Sequence, residues 1–160
     1  MLIRNILEES VRKFDEVKAV KWLKKKEIME RSYGELMENV VSTRKGLLAE
    51  GFEGKHIALI GTSSVEWMES YLGIITGCTT AVPLDAALPC EDLIDLLNRS
   101  DSVALFLSPK LKPYLDAFLE NCPKLQKVWM LQEEVEDAPA KVYGIGELRN
   151  AGKSASADSV

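Results

Sequence analysis

Paired cysteines are missing from this sequence, and histidine nearly is. Cys78, Cys90 and Cys122 are odd in number and far apart, with no C-x-x-C spacing, and His56 is the single histidine. Nothing in that spacing points to a zinc site, a disulfide framework or a Cys–His nucleophile. The thiols are expected to be reduced, as in the cytosol, with two of them buried. His56 starts a strand and has no carboxylate or thiol near it in sequence, so it reads as structural or surface. An apolar run of the ~20 residues that cross a bilayer is also missing. The first residues are amphipathic and carry Arg4, Glu8 and Glu9, unlike the apolar stretch of a secretory signal.

Positive charge is short as well. Twenty Lys and Arg face 25 Asp and Glu, a net charge of −5 with a pI near 5.1, which argues against non-specific binding to nucleic acid. The basic run Lys24-Lys25-Lys26 is three residues long and reads as a solvated turn. Phosphate motifs fail too. There is no G-x-G-x-x-G, and in "GELRNAGKS" Glu147 occupies the glycine position that a Walker A loop needs, with Gly146 one residue too early.

What is present suits one globular domain or a piece of a larger one, with 46% hydrophobic and 28% charged residues. Ile3, Ile6, Leu7, Val11 and Phe14 fall on one helical stripe. "VKAVKWL" and "EIMER", joined by the lysine turn, predict a hairpin. In "SYGEL" the spacing of Ser32 and Glu35 predicts a capping box, and Gly51 a left-handed helix end. From there strands and helices alternate. Strand-like runs at 57–60, 78–82, 103–107 and 127–131 enclose helical patterns at about 64–76, 90–99 and 110–121. Strands such as "VALFL" are apolar throughout, as in a parallel sheet covered on both faces. The expected fold is α/β, a mostly parallel sheet with helices on both faces, preceded by a helix and hairpin. "EEVEDAPA" reads as an acidic solvated loop and "AGKSASADSV" as a linker.

Chemistry-bearing candidates are few. "HIALIGTSSVEW" has the outline of a strand-to-helix turn that could hold a phosphate at Gly61 and Thr62. A capped helix start, with Ser63 and Glu66 at capping-box spacing and Val65, Met68, Tyr71, Leu72 and Ile75 facing inward, accounts for the same residues. Asp85 follows a predicted parallel strand, at the edge where ligands bind in open α/β sheets; its plainer reading is a turn former. Glu91 and Asp92 suit a helix's first turn. Trp22, Trp67 and Trp129 lie on different elements and read as packing residues.

Three stretches carry a resemblance. "SYGELMENVVSTRKGLLAEGFEGKHIALIG" and "SSVEWMESYLGIITGCTTAVPLDAALPCEDLIDLLNRS" resemble the N-terminal region of the adenylate-forming (AMP-binding) superfamily, which includes acyl-CoA synthetases, luciferases and peptide-synthetase adenylation domains. "SASADSV" is weakly similar to the linker before that family's phosphate loop. Gly73, Gly77, Pro83, Leu84, Pro89 and Glu91 carry much of the likeness, and all are scaffold positions. Within the superfamily the sequence looks most like a long-chain fatty acid–CoA ligase.

The resemblance implies that residues 1–150 form the N-terminal part of a large AMP-binding domain and that 151–160 lead to its phosphate loop. The full-length enzyme would be cytoplasmic, with peripheral membrane association left open. It would convert fatty acid, ATP and CoA, with Mg²⁺, into acyl-CoA, AMP and pyrophosphate through an acyl-adenylate. The family's phosphate loop, ribose-binding Asp and C-terminal Lys have no counterpart in these 160 residues. No catalytic or metal-binding residue is therefore carried over, and the fragment is expected to be inactive and to bind none of these cofactors tightly. Its uncovered surface predicts a homodimer or domain swap. The alternative is a complete small flavodoxin-like or Rossmann-like domain that binds a ligand at Gly61, Thr62 and Asp85 without catalysis.

Overall fold

A computed structural model describes residues 2–155. Helix α1 (Ile3–Phe14) leads into a hairpin of β1 (Lys18–Lys24) and β2 (Glu27–Ser32), then α2 (Tyr33–Ala49). Next come β3 (His56–Ile60), α3 (Val65–Ile75), β4 (Thr80–Leu84), α4 (Cys90–Arg99) and β5 (Ser102–Leu107). A 3-10 segment (Pro109–Tyr114) precedes α5 (Leu115–Asn121), followed by β6 (Lys127–Met130), β7 (Val142–Gly144) and α6 (Ile145–Ser154). Strands β3 to β7 form a five-stranded sheet in the order β4-β3-β5-β6-β7, every neighbouring pair parallel. The expected α/β architecture, with its leading helix and antiparallel hairpin, is the one observed.

Successive strand residues divide between two cores. Ala58, Ile60, Leu105, Leu107, Val128 and Met130 pack with α4 and α5 through Leu93, Leu97, Leu115 and Phe118. Ile57, Leu59, Ala104, Phe106 and Trp129 pack on the opposite face with Leu47 of α2, Ile74 of α3 and Leu148 of α6. Burial on both sides is why these strands read as continuous apolar runs.

Local signals set the boundaries of α2. Ser32 Oγ accepts from the Glu35 backbone N–H (3.1 Å), and the Ser32 N–H donates to the Glu35 carboxylate (2.7 Å), completing the capping box. At the other end Gly51 takes φ +81°, its N–H donates to the Leu48 carbonyl, and the Phe52 N–H donates to that of Leu47. Those two bonds are a Schellman closure, and Phe52 and Leu47 lie in the same apolar core.

The structure corrects several expectations. Helix α3 is capped by Ser64, whose Oγ accepts from the Trp67 N–H (3.1 Å), not by Ser63. Its most buried residues are Val65, Glu69, Ser70, Gly73 and Ile74, because it meets α2 closely: a Cβ on Gly73 would lie 2.8 Å from Thr43 Cβ. The run expected at 78–82 is the strand 80–84, with Pro83 tolerated because β4 is an edge strand. Pro109 and Pro113 turn the start of the third helical pattern into a 3-10 segment.

Of the thiols only Cys122 is buried; Cys90 is half-buried and Cys78 exposed. Residues 151–154, expected as linker, continue helix α6. The small residues that suggested a linker are a helix contact instead: a Cβ on Gly152 would stand 1.9 Å from the Ser42 carbonyl oxygen of α2. The rest of the "SASADSV" match, from 156 onward, lies outside the described residues.

Candidate functional site

The strand order creates a switch point. From β3 the chain passes through α3 to β4 on one side, and from the adjacent β5 it passes through α5 to β6 on the other. Helices α3 and α5 lie on opposite faces, so the connections that leave the paired ends of β3 and β5 part around a crevice, the usual ligand position in open α/β sheets. A cavity of about 470 Å³ occupies it.

Four segments build its walls. Ser64 and Glu66 come from the start of α3, Ser108 and Lys110 from the turn after β5, and Leu131 to Glu133 from the end of β6. Lys24 reaches in from the end of β1. Two backbone bonds continue the ladder into the floor, Ser108 N–H to the Ile60 carbonyl (2.9 Å) and Leu131 N–H to that of Leu107 (2.8 Å). Gly61 lets these turns converge, since a Cβ there would lie 3.0 Å from Ser108 Cβ and 3.1 Å from Trp67 Cδ1. Trp67 itself stacks on Tyr71, ring centroids 5.3 Å apart.

The residues singled out in the sequence meet at this end of the sheet. Gly61 and Thr62 follow β3, and Asp85 follows β4, directly beyond the paired residues Ile60 and Leu84. None of the three lines the crevice. Asp85 Oδ1 accepts from the Ala87 N–H (2.9 Å) and its carbonyl from the Leu88 N–H (3.2 Å), which makes it the hinge of a turn. His56, at the opposite end of β3, bonds through Nδ1 to the Ser100 carbonyl (2.7 Å).

Charge in the crevice is mixed. Lys24 and Lys110 are balanced by Glu66 and Glu133, so these residues make no net positive cradle for a triphosphate. Among the described residues no three His, Cys, Asp or Glu side chains gather as metal ligands would. The residues present thus do not fit ATP and Mg²⁺ by themselves, and no step is assigned to them through either group.

A second cluster escaped the sequence reading. Glu69 on α3 is fully buried, yet its carboxylate meets Arg31 Nε at 2.6 Å, Arg149 Nη2 at 3.0 Å and Asn39 Nδ2 at 3.0 Å. Arg149, 3% exposed, also reaches Thr43 Oγ1 (3.4 Å) and Glu133 Oε1 (3.2 Å). Burial pushes the Glu69 carboxyl above its ordinary range, and Asn39, Arg149 and Arg31 pull it back. The available signal was positional. Glu69 lies four residues after Val65 and four before Gly73, on the face those residues bury. A second cavity, about 300 Å³, borders this cluster through Asn39 and Arg149, and Glu133 lines both cavities.

The chain matches the family model described as "AMP-binding enzyme" over residues 7–158. Among curated proteins, none matches the chain. Solved structures share its fold at low identity. The coronafacic acid ligase from Pectobacterium brasiliense has a TM-score of 0.83 at 20% identity, over 94% of this chain and 29% of its own length. The anthranilate CoA ligase AuaEII, in complex with anthranoyl-AMP, has a TM-score of 0.77 at 16% identity over 94% of this chain and 27% of its own. A provisionally named long-chain-fatty-acid CoA ligase from Rhodopseudomonas palustris has a TM-score of 0.77 at 11% identity, over 92% and 36%. The chain thus spans roughly a third of the length of each of these proteins.

Proposed function

The chain belongs to the AMP-binding enzyme family, and on that premise we propose that it is the N-terminal part of the large domain of an ATP-dependent acid–CoA ligase, with fatty acid as the substrate. The whole enzyme would join a carboxylate to AMP and then transfer the acyl group to the thiol of coenzyme A. A carboxylate is a poor electrophile, and adenylation supplies a good leaving group. Mg²⁺ would offset phosphate charge in that step.

The observation that carries this reading is a family match that runs almost from end to end of the chain. The similar structures bear on the acid only loosely. Their names specify anthranilate, coronafacic acid and long-chain fatty acid, so an acid–CoA ligase is the common class and a fatty acid is the narrower proposal. The mixed charge of the crevice supports assigning this chain a scaffold role, with the nucleotide contacts supplied elsewhere. ATP–pyrophosphate exchange tests that assignment: the purified 160-residue chain should show none with fatty or aryl acids, and measurable exchange would overturn it.

A ligand-binding domain without catalysis is the second reading, favoured by the cavity at the switch point. Nucleotide titration followed by backbone NMR separates the two. Millimolar or tighter binding that perturbs Gly61, Thr62 and Asp85 supports the second reading, and no perturbation supports the first. We also propose that the isolated chain self-associates. Leu23 and Ile28, paired across the hairpin, are 71% and 72% exposed, and such a surface favours burial against a partner. Light scattering that shows a monomer at all concentrations would contradict this.

A further inference from the structure

Two of the four wall segments of the crevice come from distant parts of the chain, and ion pairs connect both to one buried carboxylate. Lys24 enters from the tip of the β1–β2 hairpin, and Glu133 from the segment after β6. Among the described residues the two-stranded hairpin pairs with no strand of the main sheet, and a hairpin alone is marginally stable in water. Arg31, next to its last residue, anchors it by an ion pair, Nε 2.6 Å from Glu69 Oε1 but not aligned to donate a hydrogen bond. Arg31 also lies over the Trp22 ring, 5.6 Å from the centroid, so both hairpin strands share the anchor.

Glu133 is tied from the other direction. Its carboxylate meets Arg149 Nη1 at 3.2 Å, and Arg149 Nη2 meets Glu69 Oε2 at 3.0 Å. Arg149 sits midway along α6. The two arginines thus use opposite oxygens of the same carboxylate, while Asn39 of α2 shares the first oxygen with Arg31. A buried acid held between two cations is oriented by both of them. Loss of either weakens the hold on the other.

We propose that Glu69 is a positioning residue that couples the N-terminal hairpin to helix α6 and so sets the separation of these two wall segments. The carboxylate does not touch the cavity. It acts through Arg31 on one segment and through Arg149 and Glu133 on the other. Disturbance of the hairpin is thereby felt at α6, and the reverse, across more than 100 residues of sequence.

Amide hydrogen exchange on the 160-residue chain tests the coupling. In E69Q, exchange across both 18–32 and 145–154 should accelerate about tenfold, the factor expected for loss of a charge-assisted contact. Exchange in α4 and α5, on the other face of the sheet, should stay unchanged. Acceleration of only one of the two segments, or of the whole chain equally, would overturn the proposal. R31Q keeps the question open to test should E69Q not fold. It removes the hairpin's anchor alone, yet should still speed exchange in α6 by a few-fold; α6 exchange at the wild-type rate in R31Q would show that the two elements are independent.

Discussion

The two faces of the parallel sheet solve the same burial problem in different ways. On one face α4 and α5 cover the strands with Leu93, Leu97, Leu115 and Phe118, and the contacts are apolar. On the other, α2, α3 and α6 crowd together through Gly46, Gly73 and Gly152, where any Cβ would come within 3 Å of a neighbour. Into that close-packed layer the chain inserts Glu69, Arg149 and Arg31. An apolar face is held by area removed from water and tolerates rough equivalence of shape. A face held by close backbone approach and a buried ion cluster is less forgiving, because each partner left alone is a desolvated charge. The stricter face is also the one joined to the crevice walls.

That contrast can be broken one side at a time. Phe118→Ala on the apolar face should cost about 4 kcal/mol, transfer and cavity together, read as the urea midpoint at unchanged m-value. Glu69→Ala on the other face should cost about 3 kcal/mol, because it leaves Arg149 buried without its main countercharge. The sharper form is the triple variant E69L/R149M/R31M, which removes all three charges. Its stability should return to near the wild-type value, an outcome with no parallel on the apolar face. Gly152→Ala should cost about 2 kcal/mol by forcing α6 away from Ser42, measured the same way.

Much of the fold was legible because its signals are local. The capping box at Ser32 and Glu35 and the left-handed Gly51 need only nearby residues to work, and both are where the spacing put them. The apolar strands declared a sheet covered on both sides. The close-packed face was harder to read, for physical reasons. Glu69 is a charged residue at a core position, which periodicity counts against burial, and its partners lie 38 and 80 residues away on either side (Arg31 and Arg149). Gly152 and its small neighbours resemble a linker until α2 is placed beside them. Strand β7 spans three residues, too few for any period to show. Of the candidate site, Gly61 was found for a different purpose from the one it serves, as the close contact of three turns. The crevice walls at Lys24, Lys110 and Glu133 depend on strand order, which no local pattern contains.

The smallest expected effect is a pH dependence in which two glutamates oppose each other. Backbone hydrogen bonding from Ser32 holds the exposed Glu35 carboxyl below its usual range. Its contribution is therefore full above the ordinary glutamate pKa and is lost as pH falls through the lowered native value. Burial raises Glu69, so the native state holds its proton more firmly than the unfolded chain does. Stability from this group is fullest below the ordinary glutamate pKa and declines as pH rises through the raised native value. Thermal melts across the acid range should show E35Q with a flatter acid limb than wild type. E69Q should lose the decline on the alkaline side of that limb, and identical profiles for the two variants would contradict the assignment.

The proposed role stands or falls on what the gene encodes after Val160. Sequencing the native transcript through that point is the most direct measurement. A Thr/Ser/Gly-rich loop followed by Pro-Lys-Gly within a few tens of residues is the expected result, since a phosphate loop after a short connection needs that spacing. The catalytic chemistry would then belong to the downstream residues and this chain to their scaffold. A stop codon directly after Val160 would contradict the account and leave the crevice between β3 and β5 as the protein's own ligand site.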